Sequence, residues 1–128
     1  MPHITLQCSS NLELDHKAFF KELCEAMVAT EHAPALGMKC RVERTDEYFI
    51  IDGTKDYKMA NLVFSLREGR SDEVLLEFSE IGIRTMEKYM KADCDATNII
   101  LSTQIQELKK GRDLTKNYIR KKFETQNK

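Results

Sequence analysis

The apolar residues of this chain repeat every second position, then every three to four, then every second position again, and the whole cycle occurs twice. Each change of period marks a change from strand to helix or back, so the chain reads as strand–helix–strand followed by strand–helix–strand. Ile4, Leu6 and Cys8 alternate with His3, Thr5 and Gln7, the pattern of a half-buried strand over about 3–8. After the turn residues Ser9-Ser10-Asn11, Asp15 is placed to cap a helix over about 15–31, with Phe20, Leu23, Cys24, Met27 and Val28 inward and Lys17, Lys21 and Glu25 outward. Pro34 and Gly37 end that helical pattern. A second strand starts near Met38 and includes Cys40 to Thr45; its charged outward positions suit either a solvated face or a pocket wall. Tyr48-Phe49-Ile50-Ile51 extends the apolar segment to a turn at Asp52-Gly53.

The second cycle opens with a strand over about 57–67. Ala60, Leu62, Phe64 and Leu66 point one way, and Tyr57, Met59, Asn61, Val63 and Ser65 the other, which suggests a strand covered on both faces. Ser71 is an N-cap, and Asp72 and Glu73 complement the N-terminus of a helix running to about 92. Its apolar side is Val74, Leu75, Phe78, Ile81, Met86 and Tyr89. Gly82 inside this helix costs ~1 kcal/mol relative to alanine, so a close approach of a neighbouring element is expected there. A fourth strand follows over about 97–106, then a polar, basic tail in which Tyr118, Ile119 and Phe123 can dock as a short helix.

Within each cycle the strands should be parallel and joined by a right-handed crossover. The resulting expectation is an α+β protein: duplicated β-α-β units, about 1–55 and 56–108 plus the tail, in one domain spanning 1–128. Four strands would form a mixed sheet with two helices on one face. The strands read as apolar on both faces, so the bare side needs a partner, and an oligomer is expected.

Composition narrows the function classes. Twenty basic and 21 acidic residues leave a net charge of −1, so no global field favours nucleic acid. No apolar run approaches the ~20 residues of a membrane span, and no basic-then-apolar leader opens the chain. A soluble, cytoplasmic protein is expected. The four cysteines, Cys8, Cys24, Cys40 and Cys94, form no C-x-x-C pair and read as free thiols. The three histidines, His3, His16 and His32, lack metal-ligand spacing, so neither a metal nor another cofactor is expected.

Pro2 is the chemically distinctive residue. Proline suits the first position of a strand, where no ladder N–H is needed. It also offers, once Met1 is removed, a secondary amine held by its own ring. Proline in second place permits that removal.

Met1-Pro2-His3 opening a β-α-β unit, Gly37-Met38-Lys39-Cys40-Arg41-Val42, Asp52-Gly53 with Asp56-Tyr57, and Gly69-Arg70-Ser71 together resemble the tautomerase superfamily. Within it the chain most resembles the 5-carboxymethyl-2-hydroxymuconate isomerase family. The segment Glu68 to Glu73 is also similar to the loop entering the helix of the short 4-oxalocrotonate tautomerases. The resemblance implies a tautomerase-like homotrimer and catalysis by the amino-terminal proline. The substrate would be an unsaturated 2-hydroxy or 2-oxo di- or tricarboxylate.

On that resemblance Pro2 is the general base, and Lys39, Arg41 and Arg70 bind the substrate carboxylates. Lys39 departs from the arginine expected in a Gly-x-Arg-x-Arg pattern; it keeps the charge and loses the bidentate fork. His3 reads as a partly buried strand residue. Only the first unit can have a free amine, and it carries Asn11-Leu12-Glu13 where the second has Gly69-Arg70-Ser71, so one site per chain is expected. A non-catalytic trimeric relative that binds a small anion or another protein is the alternative.

Overall fold

The computed structural model describes residues 2–126. The chain forms β1 (His3–Ser9) and α1 (His16–Ala29), makes one 3-10 turn at Ala35–Gly37, and returns as β2 (Lys39–Thr45). It continues through β3 (Lys58–Arg67), α2 (Asp72–Tyr89), the short α3 (Lys91–Asp95) and β4 (Ile99–Leu108) to α4 (Tyr118–Gln126). Both expected caps form: the Asp15 carboxylate accepts from the Ala18 N–H, and Ser71 Oγ accepts from the Val74 N–H. Each satisfies a first-turn donor that the helix itself leaves unpaired.

The strands make one mixed sheet in the order β2-β1-β3-β4. β1 runs parallel to β2 and β3 parallel to β4, while β1 and β3 are antiparallel. The expected duplicated β-α-β topology is therefore present. Ile4, Leu6, Leu62, Phe64 and Leu66 meet Phe19, Leu23, Met27, Phe78 and Met86, and all are fully buried. Each such side chain contributes ~1.5–3 kcal/mol by leaving water. The Phe64 and Phe78 rings stack at 6.4 Å. The close approach expected at Gly82 exists: a Cβ there would sit 3.0 Å from Leu62 Cδ2, 3.1 Å from Phe64 Cζ and 3.2 Å from Thr103 Cγ2.

The expectation of a sheet apolar on both faces is corrected. The face away from α1 and α2 carries Gln7, Asn61, Ser65, Ser102, Gln104 and Gln106 in a hydrogen-bonded lattice. Asn61 Nδ2 donates to Gln7 and Gln104 at 3.2 Å each, and Ser102 Oγ donates to Asn61 Oδ1 at 2.9 Å. Alternation along β4 places Ile99, Leu101 and Ile105 on the helix side and Ser102, Gln104 and Gln106 opposite, where Ile100 is an exposed apolar exception. Val63 is a buried apolar exception on the polar face.

Three boundaries also differ. α2 stops at Tyr89, not near 92, because the buried Met90 leaves helical geometry (φ −115°, ψ 27°). The chain then turns so that α3 brings Asp93 to Lys58, an ion pair of 2.8 Å. β4 begins and ends two residues later than expected. Of the apolar segment 48–51, only Ile50 is buried; Phe49 and Ile51 flank the turn at Gly53 with their side chains in solvent. All four cysteines are free, and the thiols of Cys24 and Cys40 lie 3.4 Å apart. Among the described residues no helix is long and apolar enough to cross a membrane.

Because Leu62 and Phe64, the two nearest groups facing Gly82, are fully buried, they have nowhere to yield. Gly82→Val should destabilise the protein by about 1–3 kcal/mol through overpacking, read as a lower urea midpoint at unchanged slope.

Candidate active site

The Lys39 N–H donates to the Pro2 carbonyl at 3.2 Å, which extends the β1–β2 ladder to the residue before the strand. Alternation puts the Pro2 ring on the helix side with Ile4, where it is fully buried. There it forms part of a cavity of about 330 Å³, walled by Pro34 and Gly37, by Arg67 and Arg70, and by Thr115, Asn117 and Arg120 of the tail. Met1 lies outside the described residues.

Three arginines meet at this cavity, each held differently. Gly69, at φ +123°, turns the chain between β3 and α2 in a conformation that favours glycine. Arg70 follows it. Its Nε donates to the His32 carbonyl at 3.0 Å and its Nη1 to the Arg67 carbonyl at 3.2 Å, while its guanidinium lies 5.7 Å from the Phe78 ring centre. Burial lowers the pKa of Arg70, opposed by Glu107, yet an arginine remains charged. Arg67 is neutralised by the Asp113 carboxylate, with Nε and Nη2 at 3.1 and 3.0 Å from Oδ2. Among the described residues Arg120 has only its backbone engaged, its N–H donating to Asn117 Oδ1 at 2.8 Å.

The structure thus brings Pro2 and Arg70 together, as expected from the sequence. Lys39 and Arg41 do not line this cavity. Lys39 points its Nζ at the Gly37 carbonyl, 3.0 Å away, and borders a shallower depression beneath α4. Arg41 lies on the polar sheet face, its Nη2 donating to His3 Nδ1 at 2.8 Å. Arginine has no acceptor, so His3 accepts at Nδ1 and is neutral. Burial, then Lys39 and Arg41, push its pKa below the ordinary histidine value, with Asp113 opposing. Arg67 and Arg120 are site residues that sequence reasoning missed. The Arg67-x-x-Arg70 spacing around Gly69 was the available signal for the first; the second had none beyond a basic tail.

The duplicated β-α-β sheet, with an arginine-lined cavity at the head of a central strand, places the chain among proteins of the tautomerase fold. The 5-carboxymethyl-2-hydroxymuconate isomerase family matches residues 2–123, and the chain belongs to that family. It is 28% identical over 110 residues to the 5-carboxymethyl-2-hydroxymuconate Delta-isomerase of Escherichia coli, covering 84% of this chain and 87% of that one. The crystal structure of a 5-carboxymethyl-2-hydroxymuconate isomerase from Deinococcus radiodurans R1 superposes with a TM-score of 0.85 at 25% identity, over 95% of this chain and 93% of that one. A fused 4-OT, solved as a symmetric trimer, shares the fold at a TM-score of 0.69 and 15% identity, over 90% and 92% of the two chains.

The depressed pKa of His3 makes a pH prediction. Between the folded and unfolded values the unfolded chain binds more protons, so stability rises with pH. The contribution of the His3–Arg41 contact should be complete above about pH 6.5 and lost as pH falls through the folded value. His3→Gln should therefore narrow the gap between urea midpoints measured at pH 7.5 and pH 5.

Proposed function

We propose that the chain isomerises an unsaturated 2-hydroxy or 2-oxo di- or tricarboxylate, with the Pro2 amine, freed by loss of Met1, as the general base. 5-Carboxymethyl-2-hydroxymuconate is the substrate that the Escherichia coli relative's name suggests. The observation carrying this reading is the buried Pro2 ring in a small cavity walled by three guanidinium groups. An ordinary proline amine is protonated near neutral pH. Burial and surrounding cations disfavour the ammonium form and lower its pKa. The neutral amine takes the hydroxyl proton of the substrate dienol, leaving a dienolate, and the resulting ammonium returns a proton to a carbon of that dienolate as the 2-oxo group forms. No electrons are gained or lost, so the reaction requires no redox cofactor.

Arg70 holds a substrate carboxylate and stabilises the negative charge that develops on the dienolate oxygen. Its hydrogen bonds to two carbonyls fix the guanidinium before substrate arrives, which limits the entropy lost on binding. Lys39 and Arg41 add positive charge across β1 from the same end of the sheet. We assign the assembly as a homotrimer, supported by the symmetric trimer of the fused 4-OT with the same fold. In that assembly a neighbouring subunit packs on the polar sheet face, and Arg41 belongs to the boundary.

Placing one additional residue before Pro2 converts the amine to an amide and should lower kcat on a 2-hydroxymuconate dienol by about 10²–10⁴-fold. Pro2→Ala should also slow turnover. Arg70→Ala should raise KM about tenfold or more through loss of a charge-assisted contact. Steady-state kinetics, with intact mass to confirm loss of Met1, reads all three. An extended protein as fast as the parent would remove Pro2 as the base.

A further inference from the structure

The tail after β4 is tied back onto the sheet end that holds Pro2. The Glu68 N–H donates to the Leu108 carbonyl at 2.9 Å, and the Lys110 N–H to Glu68 Oε1 at 3.2 Å. Asp113 grips Arg67 through both Nε and Nη2. Asn117 then works in two directions: its Nδ2 donates to the Leu36 carbonyl at 2.7 Å, and its Oδ1 accepts from the Arg120 N–H as the cap of α4. The apolar residues of α4 do not account for this docking, since Tyr118 and Ile119 are 66% and 70% exposed. Polar ties at Asp113 and Asn117 hold the segment, and what they deliver to the cavity is Arg120.

Charge pairing indicates what Arg120 is for. Of the three guanidinium groups at the cavity, Arg67 is spent on Asp113. Arg70 is engaged by carbonyls, which orient it without cancelling its charge. Among the described residues the Arg120 side chain has no hydrogen-bond or carboxylate partner. Three positive groups less one contact ion pair leave two cations facing about 330 Å³, a volume at the lower limit of small-ligand sites. A single carboxylate answers one of them. A short dicarboxylate answers both.

We infer that Arg120, carried over the Pro2 cavity by the tail, binds a second carboxylate of the ligand and sets the site's preference for dicarboxylates over monocarboxylates. This rests on the proposed isomerisation at Pro2 for its kinetic readout, and on equilibrium binding where turnover is absent. The planar fork of arginine suits a carboxylate, and an exposed tail helix leaves the guanidinium accessible to a ligand.

The experiment compares the parent with Arg120→Ala on two substrates, a 2-hydroxymuconate dienol with two carboxylates and the enol of phenylpyruvate with one. The ratio of their kcat/KM values should fall about tenfold or more in Arg120→Ala, and Arg120→Lys should recover part of it. A ratio within twofold of the parent's overturns the inference. The exposed side chain should be replaceable without loss of fold, which circular dichroism checks. In parallel, calorimetry with adipate and hexanoate reads binding without chemistry. Adipate affinity should drop about tenfold in Arg120→Ala, and an adipate affinity within twofold of the parent's again overturns the inference. If the parent turns over neither substrate while the adipate contrast persists, the isomerase reading fails and the role of Arg120 stands.

Discussion

Everything at the cavity depends on β1 being hydrogen-bonded on both edges. His3 pairs with Lys39 on one side and Ser65 on the other, and the register continues through Ile4 with Cys40 and Phe64. Ile4, Leu6 and Cys8 are buried against the helices, so a slip of one residue would turn all three to the polar face. The core therefore fixes the register, and the register fixes the residue that precedes it. Pro2 cannot rotate away from the helix side without unpacking Ile4, and its carbonyl is already held by the Lys39 N–H. A strand held on both edges thus fixes the position of Pro2.

The two β-α-β units share a topology and use the turn after the first strand for different ends. In the second unit, Gly69-Arg70-Ser71 projects a cation and caps a helix. In the first, Asn11 Nδ2 donates to the Tyr57 carbonyl at 2.9 Å and Leu12 is buried, so that turn ties the two units together. The cation at that end, Arg44, donates to the Leu12 carbonyl at 2.7 Å and is absorbed by the backbone. Internal symmetry of the sheet does not become symmetry of the cavity, because one turn ties chain to chain and the other places Arg70 on a cavity wall.

The architecture was legible because the two periodicities are strong and both helix caps, Asp15 and Ser71, announce themselves locally. Arg70 was legible for the same reason, since it lies between a turn glycine and a cap. The polar sheet face was written in β4, where Ser102, Gln104 and Gln106 alternate with apolar residues, and it was overlooked by giving weight to the mixed faces of β3. The pairing of Arg67 with Asp113 and the placing of Arg120 depend on contacts that no local pattern encodes. Asp113 meets Arg67 across 46 residues and Asn117 meets Leu36 across 81. A basic tail with three scattered apolar residues gives no period from which its return path follows. The break at Met90 is equally non-local, since it serves a pairing of Asp93 with Lys58.

Clustering like charges beside a buried ring opposes folding, and the way each arginine is held limits that cost. Arg67 is compensated by a carboxylate, which makes it a fixture of the tail and removes it as an anion site. Arg70 is compensated by carbonyl dipoles and an aromatic face, which steady its guanidinium while leaving its net charge to act on the cavity. Arg120 sits on the exposed helix, where water screens it until a ligand displaces that water. Graded compensation of this kind lets one cavity be electropositive beside the buried Pro2 ring without placing three unpaired charges in the core. The tail itself is held chiefly by the polar ties of Asp113 and Asn117, with Tyr118 and Ile119 left exposed, so Arg120 reaches the cavity edge from a solvated element where its charge costs little.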